Sequence, residues 1–165
     1  PWGGVSVLSE SAPLDPDLVA AGTRLLDALG WHGVAMVEFK RDARDGTPRL
    51  MEINARFWGS LQLAVDAGVD FPNILVDGAF GAGPAQPPVY KVGVRNRWLM
   101  GDLDALLLRL IGGRRQPDAW HRGSRLGAVL SFFKLWGRDL HYENPRADDL
   151  GPWWHEARQW FRRSA

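Results

Sequence analysis

No cysteine occurs among the 165 residues. That absence removes disulfides, thiolate metal sites and thiol nucleophiles together, and makes a reducing, cytoplasmic setting the simplest expectation. An excess of charge is lacking too: 20 Lys and Arg stand against 19 Asp and Glu, a formal net charge of +1. No broad basic face is expected, and hence no nucleic-acid partner. Apolar runs such as Leu106 to Leu108 are broken by charge well short of the roughly 20 residues a membrane-spanning helix needs. No basic-then-apolar leader opens the chain, so no membrane is expected either. His32, His121, His141 and His155 lack His-x-His or His-Glu-x-x-His spacing, which leaves no transition-metal motif.

What is present is a 45% apolar composition, enough to fill a core. The chain opens Pro1-Trp2-Gly3-Gly4 without a methionine and reads as an excerpt from a longer polypeptide. Val5 to Leu8 predict a strand. Asp15-Pro16-Asp17 supplies an acidic N-cap with proline at the first helical position, and Gly30 supplies a C-terminal cap, so a helix is expected over 16–29. Short helices are expected from Gly59-Ser60 to Gly68 and from Phe71-Pro72 to near Gly81. The proline-rich stretch 82–88 marks a boundary. Val89 to Trp98 reads as a further strand. Helical stripes follow: Leu103, Leu106, Leu107 and Leu110, then Leu126, Val129, Leu130 and Phe133, then Trp153, Ala157, Trp160 and Phe161.

Chemistry concentrates in one predicted hairpin. Gly33 to Arg41 runs outward, Arg44-Asp45-Gly46 turns, and Arg49 to Ala55 returns. On the returning strand Leu50, Glu52, Asn54 and Arg56 share one parity, and Met51, Ile53 and Ala55 the other. A three-residue loop pairs Ala43 with Thr47 and hence Glu38 with Glu52; a two-residue Asp45-Gly46 turn instead sends Glu52 to the opposite face. Opposed carboxylates repel unless a cation lies between them. Two carboxylates plus the Asn54 amide oxygen suit magnesium or manganese, with Arg56 placed to hold a phosphate or an anionic intermediate. An ordinary solvated sheet face shows the same alternation, so spacing alone leaves both readings open. A glycosidase carboxyl pair is disfavoured by Asn54 and Arg56 on the same side.

The arrangement Met-Val-Glu38-Phe followed by Leu-Met-Glu52-Ile-Asn54-Ala-Arg56-Phe-Trp-Gly-Ser resembles the C-terminal lobe of ATP-grasp ligases of the carbamoyl-phosphate synthetase and biotin carboxylase type. The resemblance covers roughly residues 1–80. Residues 95–103 look like an extension seen in some bacterial ATP-grasp ligases. It implies an α+β fold: an antiparallel sheet lobe with flanking helices over 1–81, a connection at 82–88, and a mainly helical appendix over 89–165. It further implies ATP and Mg2+ (or Mn2+) as cofactors, with Glu38, Glu52 and Asn54 as metal ligands and Arg56 as the catalytic residue at the acyl-phosphate step. The partners would be ATP, a small-molecule carboxylate, and a missing N-terminal part of the same chain carrying the nucleotide-gripping lysine. Without that part, the residues present are expected to be inactive. Ala55 departs from the proline of many relatives without removing a ligand.

Four further residues are candidate substrate contacts. Gly4 and Ser6 lie near the cleft implied by the resemblance, and Arg95 and Arg97 share one parity on a predicted strand. A competing reading is a non-catalytic binding module that keeps the lobe and uses its Trp-rich helices for protein contacts. For the C-terminal stretch, the expectation is that Trp153 and Trp160 pack on their own domain while arginines face water.

Overall fold

A computed structural model of the protein describes residues 6–83, 86–111, 124–134 and 136–164. The order is β1 (Leu8–Glu10), α1 (Pro16–Ala28), β2 (Met36–Arg41), β3 (Pro48–Asn54), α2 (Leu61–Asp66), α3 (Phe71–Ala79), β4 (Arg95–Arg97), α4 (Leu99–Ile111), α5 (Arg125–Phe132), β5 (Leu140–Tyr142) and α6 (Gly151–Ser164). This is an α+β chain with small sheets flanked by helices.

The chain divides into one unit of residues 11–92 and another that joins residues 1–10 to 93–165. The second unit resumes at Gly93. The reason is a non-local ladder: β1 pairs antiparallel with β4, placing Leu8 opposite Arg97 and Glu10 opposite Arg95. The opening strand also starts later than its apolar residues suggest, at Leu8. Within the first unit, Lys91 N–H donates to the Ala67 carbonyl at 2.8 Å and the Tyr90 hydroxyl to the Ala12 carbonyl at 2.9 Å. Those bonds draw off residues expected to extend β4.

In the 11–92 unit, α1 starts where capping chemistry requires. The Asp15 carboxylate accepts from the Asp17 and Leu18 amides at 3.0 and 3.4 Å, and Pro16 has no amide to leave unpaired. At the other end Trp31 N–H reaches the Leu26 carbonyl and Gly30 N–H the Asp27 carbonyl, both at 2.9 Å. This Schellman closure needs the left-handed φ of 58° that Gly30 adopts, and Gly68 (φ 107°) closes α2 in the same way. Gly22, the buried residue of α1, lies against Val37 of β2. An Arg41–Asp15 ion pair ties the hairpin to the helix N-terminus.

In the other unit, β4 is the central strand of the order β1-β4-β5 and pairs parallel with β5. Val94, Asn96 and Arg97 are buried there, joined by Met100 and Ala157. Helix α6 is tied to the α4 segment by two indole donors: Trp98 Nε1 to Glu156 Oε1 at 2.5 Å, and Trp160 Nε1 to Asp104 Oδ1 at 2.6 Å. Arg158 and Arg162 face solvent. The helix therefore uses Trp160 for packing, as expected, while Trp154 and Phe161 remain exposed. No helix among the described residues is long and apolar enough to cross a membrane.

Candidate functional site

The site lies on the β2–β3 hairpin. Its turn differs from the expected three-residue loop. Asp42 N–H donates to the Thr47 carbonyl at 2.9 Å, which leaves Ala43, Arg44, Asp45 and Gly46 in the loop. Asp42 organises that loop, accepting from the Arg44 amide at 3.0 Å and from its guanidinium at 2.9 and 2.6 Å. Those bonds hold the Asp42 carboxyl below its ordinary range. The Asp45 carboxylate accepts from the Thr47 amide at 2.8 Å, and its pKa is lowered for the same reason.

From that turn the ladder runs Arg41↔Pro48, Lys40↔Arg49, Phe39↔Leu50. Continued unbroken, it would set Glu38 opposite Met51 and turn Glu52 to the other side of the sheet. A β-bulge intervenes between Glu38 and Phe39, Met51 is the extra residue, and beyond it Glu38 pairs with Glu52, Val37 with Ile53 and Met36 with Asn54. The expected pairing of the two glutamates is present, produced by a bulge rather than by the turn. One expectation changes in consequence: Leu50, opposite Phe39, no longer shares the face of Glu52 and Asn54.

On that face both glutamates are exposed and Asn54 is half-buried. Opposed positions in an antiparallel pair place β-carbons about 4.5–5.5 Å apart, where like charges repel. Among the described residues no lysine or arginine forms an ion pair with either glutamate. Asn54 Nδ2 donates to Glu52 Oε1 at 2.5 Å, so the amide oxygen is not used in that bond. Two carboxylates and an amide oxygen are the donor types that a hard divalent cation such as magnesium or manganese takes. The residues fit such an ion. No group of three or more His, Cys, Asp or Glu that could hold a metal is found among the described residues; this site has only two carboxylates.

Arg56 lies two residues beyond Asn54, and its Nη1 donates to the neighbouring Phe57 carbonyl at 2.9 Å. The chain leaving β3 is held by Trp58, whose ring meets Phe71 of α3 edge-on at 5.1 Å. None of the other predicted contacts is on the hairpin. Gly4 falls outside the described residues. The Ser6 hydroxyl donates to the Leu8 carbonyl at 2.8 Å, a local bond at the start of β1. Arg95 and Arg97 are on β4, in the other unit. Arg97 is 6% exposed, ion-paired with Asp102, and donates to the Phe132 and Lys134 carbonyls at 2.9 and 3.3 Å. Its guanidinium also lies 5.2 Å from the Phe132 ring centroid. It satisfies carbonyls left open at the C-terminus of α5, a structural duty that parity along a strand does not reveal.

No curated protein and no solved structure matches the chain significantly. A family model described as "ATP-grasp in the biosynthetic pathway with Ter operon" matches residues 7–101, a span that contains the whole hairpin and more than half of the chain. With the opposed glutamates, the Glu-x-Asn strand and the arginine beyond it all inside that span, the chain belongs to the ATP-grasp superfamily.

Proposed function

We propose that this chain supplies the magnesium- and phosphate-binding part of an ATP-dependent carboxylate–amine ligase. The observation that carries the reading is the unneutralised pair Glu38 and Glu52 with the Asn54 oxygen beside it. In this reading Glu38, Glu52 and Asn54 hold the ion. Bound there, magnesium or manganese would neutralise ATP phosphate oxygens and take its remaining ligands from them and from water.

The reaction would proceed by in-line transfer. A substrate carboxylate oxygen attacks the γ-phosphorus, the bond to the β–γ bridging oxygen breaks, and ADP leaves. A neutral amine then attacks the acyl carbon of the resulting acyl phosphate, inorganic phosphate departs with the bonding pair, and the nitrogen gives up one proton, which the departing phosphate or water takes. Side chains act by position and charge, so a sequence without cysteine loses nothing. Arg56 turns from the Phe57 carbonyl to the transferring phosphoryl group, giving up an exposed hydrogen bond worth about 1 kcal/mol for a charge-assisted one. The nucleotide base and its gripping lysine belong to protein beyond these residues.

The test is magnesium-dependent ATP turnover by the full-length protein, with Mn2+ binding followed by electron paramagnetic resonance. Glu52→Gln is expected to cut turnover by about a hundredfold or more and to release bound manganese while leaving the fold intact. Unchanged manganese binding in Glu52→Gln would remove the basis of the assignment.

A further inference from the structure

The unit formed by residues 1–10 and 93–165 contains a separate cavity of about 240 Å³ beside β4 and the C-terminal end of α5. Leu8, Leu140 and Trp136 supply apolar lining, and Ser131, Lys134 and Arg95 polar lining. The buried Arg97–Asp102 pair also borders it, and their charges cancel. Arg95 and Lys134 are left as uncompensated cations, since neither forms an ion pair among the described residues. Glu10, the register partner of Arg95, does not pair with it. Instead the Arg95 guanidinium reaches the Arg138 carbonyl at a long 3.4 Å, in space that Gly137 leaves open: a Cβ there would stand 3.1 Å from Nη2.

A planar guanidinium, an ammonium and a hydroxyl around a partly apolar hollow recognise an anion attached to an apolar body. The volume is below the roughly 300 Å³ of drug-sized pockets, which restricts the occupant to a small molecule. We infer that this cavity is a binding site for a small organic carboxylate, held by Arg95 and Lys134 with its apolar part against Leu8, Leu140 and Trp136. This site is independent of the hairpin and needs neither ATP nor magnesium, so its failure and that of the ligase reading can be told apart.

The probe is benzoate, titrated calorimetrically into the full chain without nucleotide or metal, beside benzyl alcohol and inorganic phosphate. Benzoate is expected to bind at least tenfold more tightly than either. Arg95→Gln should weaken it about tenfold, and Gly137→Ala, which crowds the guanidinium, should weaken it as well. Lys134→Gln, at an exposed position where folding is not at stake, should weaken it several-fold. Benzoate affinity unchanged in Lys134→Gln and Arg95→Gln, no benzoate binding, or phosphate binding as tight as benzoate would each overturn the proposal.

Discussion

Glu38 and Glu52 face each other across two antiparallel strands because Met51 is bulged out of the ladder between Leu50 and Glu52. The bulge brings two like charges into register, an arrangement that costs the metal-free protein stability. Neutralising one partner should therefore stabilise the metal-free fold: Glu52→Gln is expected to gain about 0.2–1 kcal/mol. On the proposed site, magnesium is expected to stabilise the parent, by about 2.7 kcal/mol at a hundred times its dissociation constant, and not the variant. Thermal unfolding of both proteins with and without magnesium measures the two effects. An equal magnesium response in parent and variant would show that the ion binds elsewhere.

Much of this geometry is legible in the residues, and what is not has a physical reason. Helix α1 follows from Asp15, Pro16 and Gly30 because caps are local chemistry, acting within one turn of the residues that make them. The hairpin follows from Asp-Gly between two alternating runs. Its register does not: loop length and bulge each shift the pairing by one residue, and only their sum decides which side chains meet. The pairing of Glu38 with Glu52 is thus anticipated while the route to it, and the side taken by Leu50, are not. The β1–β4 ladder joins residues more than 80 positions apart, beyond the reach of any local pattern. Arg97 reads as a solvent or ligand contact on a strand, yet the carbonyls that claim it come from α5.

Gly22 offers a test of how α1 rests on the hairpin. A Cβ built there would stand 3.8–3.9 Å from the Val37 side chain, ordinary van der Waals contact, and the residue lies inside a helix. Gly22→Ala is expected to stabilise by about 0.4–1 kcal/mol, through the unfolded chain's lost freedom and the added contact. Urea unfolding measures it. Destabilisation would mean that the helix packs closer to β2 than the Val37 contact indicates.

Gly101 predicts the opposite outcome. It is a buried helical residue of α4, and a Cβ there would overlap the Trp98 ring. Trp98 cannot swing away without giving up its bond to Glu156. Gly101→Ala should cost about 1–3 kcal/mol despite the better helix propensity of alanine. A midpoint unchanged in urea would show that the ring relaxes freely.

Glu143 sets a pH dependence. Burial, and then the nearby Glu156 charge, push its carboxyl above the ordinary carboxylate range. The folded state therefore holds a proton that the unfolded state has already released, and stability falls as pH rises from the unfolded pKa through the folded one. Glu143→Gln should be more stable than the parent at about pH 7, with the difference shrinking toward about pH 3, where the parent is protonated in both states. Unfolding midpoints across that range measure the trend. A gap that widens on acidification would reverse the assigned sign.

Arg97 and Asp102 separate a structural cation from a ligand-binding one. Arg97 has a side chain 7% exposed, and Asp102 supplies the charge that makes its burial tolerable. Removing one partner should leave an uncompensated charge: Asp102→Ala is expected to cost about 3–5 kcal/mol. Replacing both by apolar residues, Arg97→Met with Asp102→Leu, should recover much of that loss, although the Phe132 and Lys134 carbonyls then lose their donor. Arg95→Gln removes a guanidinium that has one long hydrogen bond and no ion pair among the described residues, so its effect should stay within about 1 kcal/mol. Urea unfolding of the three variants reads this contrast directly. If Asp102→Ala and Arg95→Gln cost the same, the distinction between a buried arginine that caps α5 and one held by a single long hydrogen bond would be lost.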